Sequence, residues 1–84
     1  MTTIHVTEHT LAVFPIFGQH ALGGAGLVGH FEAHLLDGGI PAVTYFQYAT
    51  ATDPGREDVL VTFDPGEAAT AVTRARRLAG WLRS

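Results

Sequence analysis

The stretch Ala25-Gly26-Leu27-Val28-Gly29-His30-Phe31-Glu32-Ala33-His34-Leu35-Leu36-Asp37, followed by Gly38-Gly39-Ile40-Pro41, decides which fold the chain adopts. At 100° per residue, Leu27, Val28, Phe31 and Leu35 fall on one side, which predicts a helix from about Ala25 to Asp37. Gly38-Gly39 and then Pro41 read as its stop. Gly26 and Gly29 weaken its first turns by about 1 kcal/mol each relative to Ala, tolerable where another backbone packs closely.

Outward from this stretch the signals are mostly those of strands. Upstream, residues 3–7 and 10–17 are β-prone, as a hairpin turning at Glu8-His9 or as one long strand with a bulge there. Pro15 has no N–H for a ladder and belongs at a strand end or on a sheet edge. Downstream, residues 42–50, Ala-Val-Thr-Tyr-Phe-Gln-Tyr-Ala-Thr, are β-branched and aromatic. Asp53-Pro54-Gly55 supplies turn chemistry, and Asp58–Phe63 reads as a second strand with Val59, Val61 and Phe63 on one face. The two strands predict a hairpin. A last helix is expected after Asp64 as N-cap, Pro65 as its first residue and Glu67 as the capping-box acid. Its stripe is Ala68, Ala71, Val72, Ala75, Leu78, Ala79 and Leu82. Residues 1–84 therefore read as a single small α+β domain: a small antiparallel sheet, ordered ββαββα or βαββα, with two helices packed on one face.

Composition narrows the chemistry. At 84 residues the chain supports one thin core and no enclosed multi-domain cleft. It has no Lys and no Cys, and its one Ser is Ser84, so Schiff-base, thiolate and serine-triad chemistry have no carriers. General acid–base work by His, Asp or Glu is what remains. No signal-peptide pattern opens the sequence and no apolar run reaches a bilayer's thickness, which predicts a cytoplasmic protein without a membrane partner. Charge is uneven: residues 1–65 hold seven carboxylates against Arg56 alone, whereas residues 66–84 hold four arginines against Glu67. With a net charge of −3, the acidic body argues against a nucleic-acid partner.

Three sets of residues are candidates for a site. All five histidines lie between positions 5 and 34, and His30 and His34 sit four apart, a spacing that on a helix would present both imidazoles to one metal ion or one interface. The order His30-Phe31-Glu32-Ala33-His34 does not match the metalloprotease H-E-x-x-H, and no metal or other cofactor is assigned. On the last helix Trp81 lies off the apolar stripe beside Arg74 and Arg77, an arrangement typical of binding hot spots. In the strand over 42–50, Tyr45 or Phe46 and Tyr48 would stand on a sheet face that two helices on the opposite side leave bare.

Gly24-Ala25-Gly26-Leu27-Val28-Gly29 spells G-x-G-x-x-G and, with the presumed helix after it, resembles the phosphate-binding turn of short-chain dehydrogenases and nucleotide-sugar epimerases. That resemblance implies a phosphate or dinucleotide held at a helix N-terminus. It departs from the family in two places. The glycines follow Gly18-Gln19-His20 instead of a strand directly, and Gln47-Tyr48 stands where an acid is expected. The reading that best uses the whole sequence is a small binding or interaction module, a homodimer or an accessory of a larger protein, which buries its sheet face on that partner. A His/carboxylate acid–base enzyme or a His-based metal binder in an oligomeric cleft ranks second. An anion binder at Gly24–Gly29 ranks third.

Overall fold

The computed structural model describes residues 9–19, 24–49 and 54–83. Four strands, β1 (His9–Gln19), β2 (Ala25–Leu36), β3 (Ile40–Tyr48) and β4 (Pro54–Thr62), precede a single helix, α1 (Ala68–Arg83). They form one antiparallel sheet in the order β1-β2-β3-β4. The sequence expectation of a helix over Ala25–Asp37, and with it the two-helix ββαββα or βαββα architecture, is thus overturned: the described order is ββββα.

The physical reason lies in the same residues. His30-Phe31-Glu32-Ala33-His34-Leu35 alternates polar and apolar with period 2, so Phe31, Ala33 and Leu35 share one face and His30, Glu32 and His34 the other. A helix would have mixed these two sets. As a strand between two others, the segment pairs along β1 on one side and β3 on the other, and its buried polar row meets partners. Gly38-Gly39 closes a hairpin instead of a helix. The Gly39 N–H donates to the Leu36 carbonyl at 2.9 Å, and both glycines have positive φ, +83° and +75°.

On the remaining elements the sequence expectations fare better. The hairpin over 42–50 and 58–63 is β3 and β4, although β4 starts earlier, at Pro54. A register shift between Val43 and Thr44 sets Val61 opposite Val43 but Val59 opposite Thr44, so Val59 and Val61 do not share a face. Pro15 sits in β1, which among the described residues is an edge strand. The choice between hairpin and long strand at Glu8-His9 concerns residues 1–8 and lies outside the described residues, as does Asp53.

The helix begins one turn later than its cap residues suggested. Asp64-Pro65-Gly66-Glu67 is a turn in which the Glu67 N–H donates to the Asp64 carbonyl at 3.1 Å, with Gly66 at φ +93°. Pro followed by a positive-φ Gly is type II turn chemistry. Glu67 then takes the capping position, its carbonyl accepting the Ala71 N–H at 3.2 Å.

The helix lies across β1, β2 and β3. Its contact line is Ala71, Ala75 and Ala79, all fully buried at four-residue spacing, against Ile16, Phe31, Ala33 and Val43. Methyl side chains let the helix backbone come close, and the sheet supplies the bulk. Each fully buried Phe or Val contributes roughly 1.5–3 kcal/mol. Two arginines bracket this seam, Arg74 over the Phe63 ring at 5.5 Å and Arg76 over Phe14 at 5.7 Å.

Close approach also explains Gly29. A Cβ there would lie 2.5 Å from the Phe46 carbonyl oxygen and 3.3 Å from Tyr45 Cε1, so the Tyr45 ring occupies the space a side chain would take. Gly29→Ala must displace backbone, and we expect it to destabilise the fold by about 1–3 kcal/mol. Urea denaturation would show this as a lowered midpoint, and an unchanged midpoint would refute it.

Candidate functional site

The polar row of β2 builds a hydrogen-bonded series on the face opposite α1. His30 Nε2 lies 3.2 Å from Glu32 Oε1, and His30 Nδ1 lies 2.5 Å from the Tyr48 hydroxyl. The Thr10 hydroxyl donates to Glu32 Oε2 at 2.9 Å. With the proton on Nε2, His30 donates to Glu32 and accepts from Tyr48, which uses both ring nitrogens. The ring also stacks on Phe46, with centroids 4.5 Å apart. Glu32 is 2% exposed, so its carboxylate is taken almost wholly out of water and depends on these donors. Burial, and after it the negative charge of Glu32, pushes the Tyr48 phenol above its ordinary range: both disfavour tyrosinate. Glu32, His30 and Tyr48 are thus a carboxylate, an imidazole and a hydroxyl in series, the arrangement that orients a base toward a hydroxyl in acid–base chemistry.

His34 belongs to the same face but not to this series. Its Nε2 lies 2.6 Å from the Thr44 hydroxyl, and His34 is 1% exposed, inside the chain and not on a subunit surface. The metal reading of His30 and His34 rested on helical spacing. Four residues along a strand span about 13 Å, too far for one ion to reach both. Among the described residues no group of three or more His, Cys, Asp or Glu could hold a metal ion. The G-x-G-x-x-G reading loses its basis in the same way, because Ala25–Gly29 is strand and presents no helix N-terminus to an anion.

A second feature, which Tyr48 also borders, lies at the end of β3 and β4 that α1 leaves open. There a cavity of about 420 Å³ is bordered by Gln19, Val28, Tyr45, Gln47, Tyr48, Ala49, Gly55 and Arg56. Cross-strand register assembles it: Gln47 stands opposite Arg56, and Tyr45 is two residues before Gln47 on the same face. Tyr45 is held by Phe31, their ring centroids 5.0 Å apart. Arg56 Nε donates to Asp58 Oδ2 at 2.9 Å.

The sequence candidates therefore scatter. His30 and Tyr48 meet, whereas His34 is buried apart from them. Tyr45 is on the helix side, half-buried, and Phe46 is 1% exposed, so neither stands bare as the reading of the 42–50 strand had it. Arg74 caps Phe63 and not Trp81, Arg77 is exposed, and Trp81 is 68% exposed on the last turn of α1. Residues the sequence reading passed over, Thr10, Glu32, Gln47 and Arg56, carry more of the geometry. The period-2 spacing of His30 and Glu32 was the available signal for the first two.

Comparison with protein-family models, with curated proteins and with solved structures finds no match.

Glu32→Gln should lower the Tyr48 pKa part of the way back, since burial, the larger cause, stays. Tyrosinate absorbance in a Tyr45→Phe background measures this, and an unmoved titration would refute the coupling. Because the folded state holds the Tyr48 proton more tightly than the unfolded chain, its contribution to stability is intact below about pH 10 and is lost as pH rises above that.

Proposed function

We propose that the protein is a small binding domain that works by self-association, a second copy covering an apolar row on β1. The observation that carries this reading is the sequence Val13-Phe14-Pro15-Ile16-Phe17, which is apolar on both faces. Phe14 and Ile16 face the helix-side core. Val13, Pro15 and Phe17 alternate with them on the other side and are exposed, Val13 at 49% and Phe17 at 62%. The 42–50 strand, expected to present the surplus apolar face, keeps Phe46 buried and Tyr45 half-buried, whereas β1 exposes Val13 and Phe17, and β4 exposes Val59 and Leu60. A strand apolar on both sides suits burial on both sides. Pro15 cannot donate a ladder hydrogen bond across the edge, which favours face packing over sheet extension. Exposed apolar side chains grouped in such a row form the kind of patch that a partner covers.

Light scattering after size exclusion tests the proposal. The wild-type chain should run at the mass of two protomers, and Val13→Glu/Phe17→Glu at one, with unchanged circular dichroism. A monomeric wild type, or a double variant that keeps the dimer mass, would overturn it.

A second reading, acid–base catalysis, draws support from the Glu32–His30–Tyr48 series. It requires the wild-type chain to cleave an activated ester such as 4-nitrophenyl acetate faster than His30→Gln does. Equal rates would remove this reading and leave the binding proposal untouched.

A further inference from the structure

We infer that the cavity at the open end of β3 and β4 binds a small planar monocarboxylate, with Arg56 as the anion contact and the Tyr45 ring as the flat wall. The site does not depend on the self-association proposed for β1. Its volume, about 420 Å³, lies in the range of small-ligand pockets.

The lining supplies each requirement of such a ligand. Arg56 is the only Lys or Arg in residues 1–65, a segment with seven carboxylates, and it borders this cavity. Asp58 Oδ2 holds the guanidinium through Nε at 2.9 Å, while its two terminal amino groups have no other partner among the described residues. A fork oriented in this way matches the two oxygens of a carboxylate. One cation already beside an acid does not balance a dianion, which disfavours phosphate. A neutral ligand would take less from the two open amino groups than a carboxylate does. Gln47, directly across from Arg56, and Gln19 add amide donors and acceptors at the rim.

The flat wall is built before any ligand arrives. Tyr45 is fixed by Phe31 on one side and by the missing side chain of Gly29 beneath it, and Val28 extends the apolar surface. The half-buried Tyr45 ring loses little freedom on binding, whereas the Arg56 side chain, 68% exposed and held through Asp58, is ordered further by the ligand.

Benzoate and benzamide, equal in shape and different in charge, are suitable probes for amide-resolved NMR titration of the full chain. Benzoate should produce saturable shifts at Tyr45, Gln47 and Arg56. Benzamide should bind at least tenfold more weakly, and Arg56→Gln should weaken benzoate by a similar factor. Gln47→Ala, across the strand from Arg56, should weaken it less. Equal binding of the two probes, shifts centred elsewhere, or benzoate binding unaffected by Arg56→Gln in a chain whose spectrum is otherwise native would each overturn the inference. So would the absence of saturable shifts at millimolar benzoate.

Discussion

The two faces of β2 govern the rest of the molecule. One central strand presents Phe31 and Ala33 to the helix and His30, Glu32 and His34 to the other side. The apolar face needs a cover, and α1 provides it with three alanines. The polar face needs hydrogen bonds, and Thr10, Thr44 and Tyr48 from the flanking strands provide them. A slip of β2 by one residue would exchange these faces, setting a buried carboxylate against the helix and phenylalanine among hydroxyls. Register is therefore set by chemistry on both sides at once, which is a tighter specification than an apolar stripe alone gives. Whether such a network adds net stability is a separate matter. Buried ionisable groups often serve uniqueness more than free energy, while loss of one partner is costly.

That division also explains how much was legible beforehand. The β3–β4 hairpin and the last helix could be read from local chemistry, because β-branched and aromatic runs and an alanine stripe each fit one period. The central strand could not. Leu27, Phe31 and Leu35 fit a helix as well as Phe31, Ala33 and Leu35 fit a strand, and Gly38-Gly39 serves as helix stop or hairpin turn with equal ease. The tie was broken by β1 and β3, which need a strand between them. That is a long-range requirement, and no window of sequence contains it. The same error displaced the candidate site. Helical spacing joins His30 to His34, whereas strand pairing joins His30 to Glu32 on its own strand and to Tyr48 on the next.

Two regions escape the helix: the outer face of β1 and the β3–β4 end. The β3–β4 end is open because the helix crosses three strands of four, and the outer face of β1 is open because it lies on the side of the sheet away from α1. The outer face of β1 is apolar, and the end of β3 and β4 is polar with one cation. The placement of α1 thus separates an association surface from a ligand pocket, so the two need not compete for the same residues.

The alanine seam has a consequence in time as well as in space. The strands are linked to their neighbours in chain order, and α1 comes after all four. The apolar face of the sheet, with Ile16, Phe31 and Val43, is therefore covered by residues that the chain adds last, Ala71, Ala75 and Ala79, so helix docking is the step that closes the core.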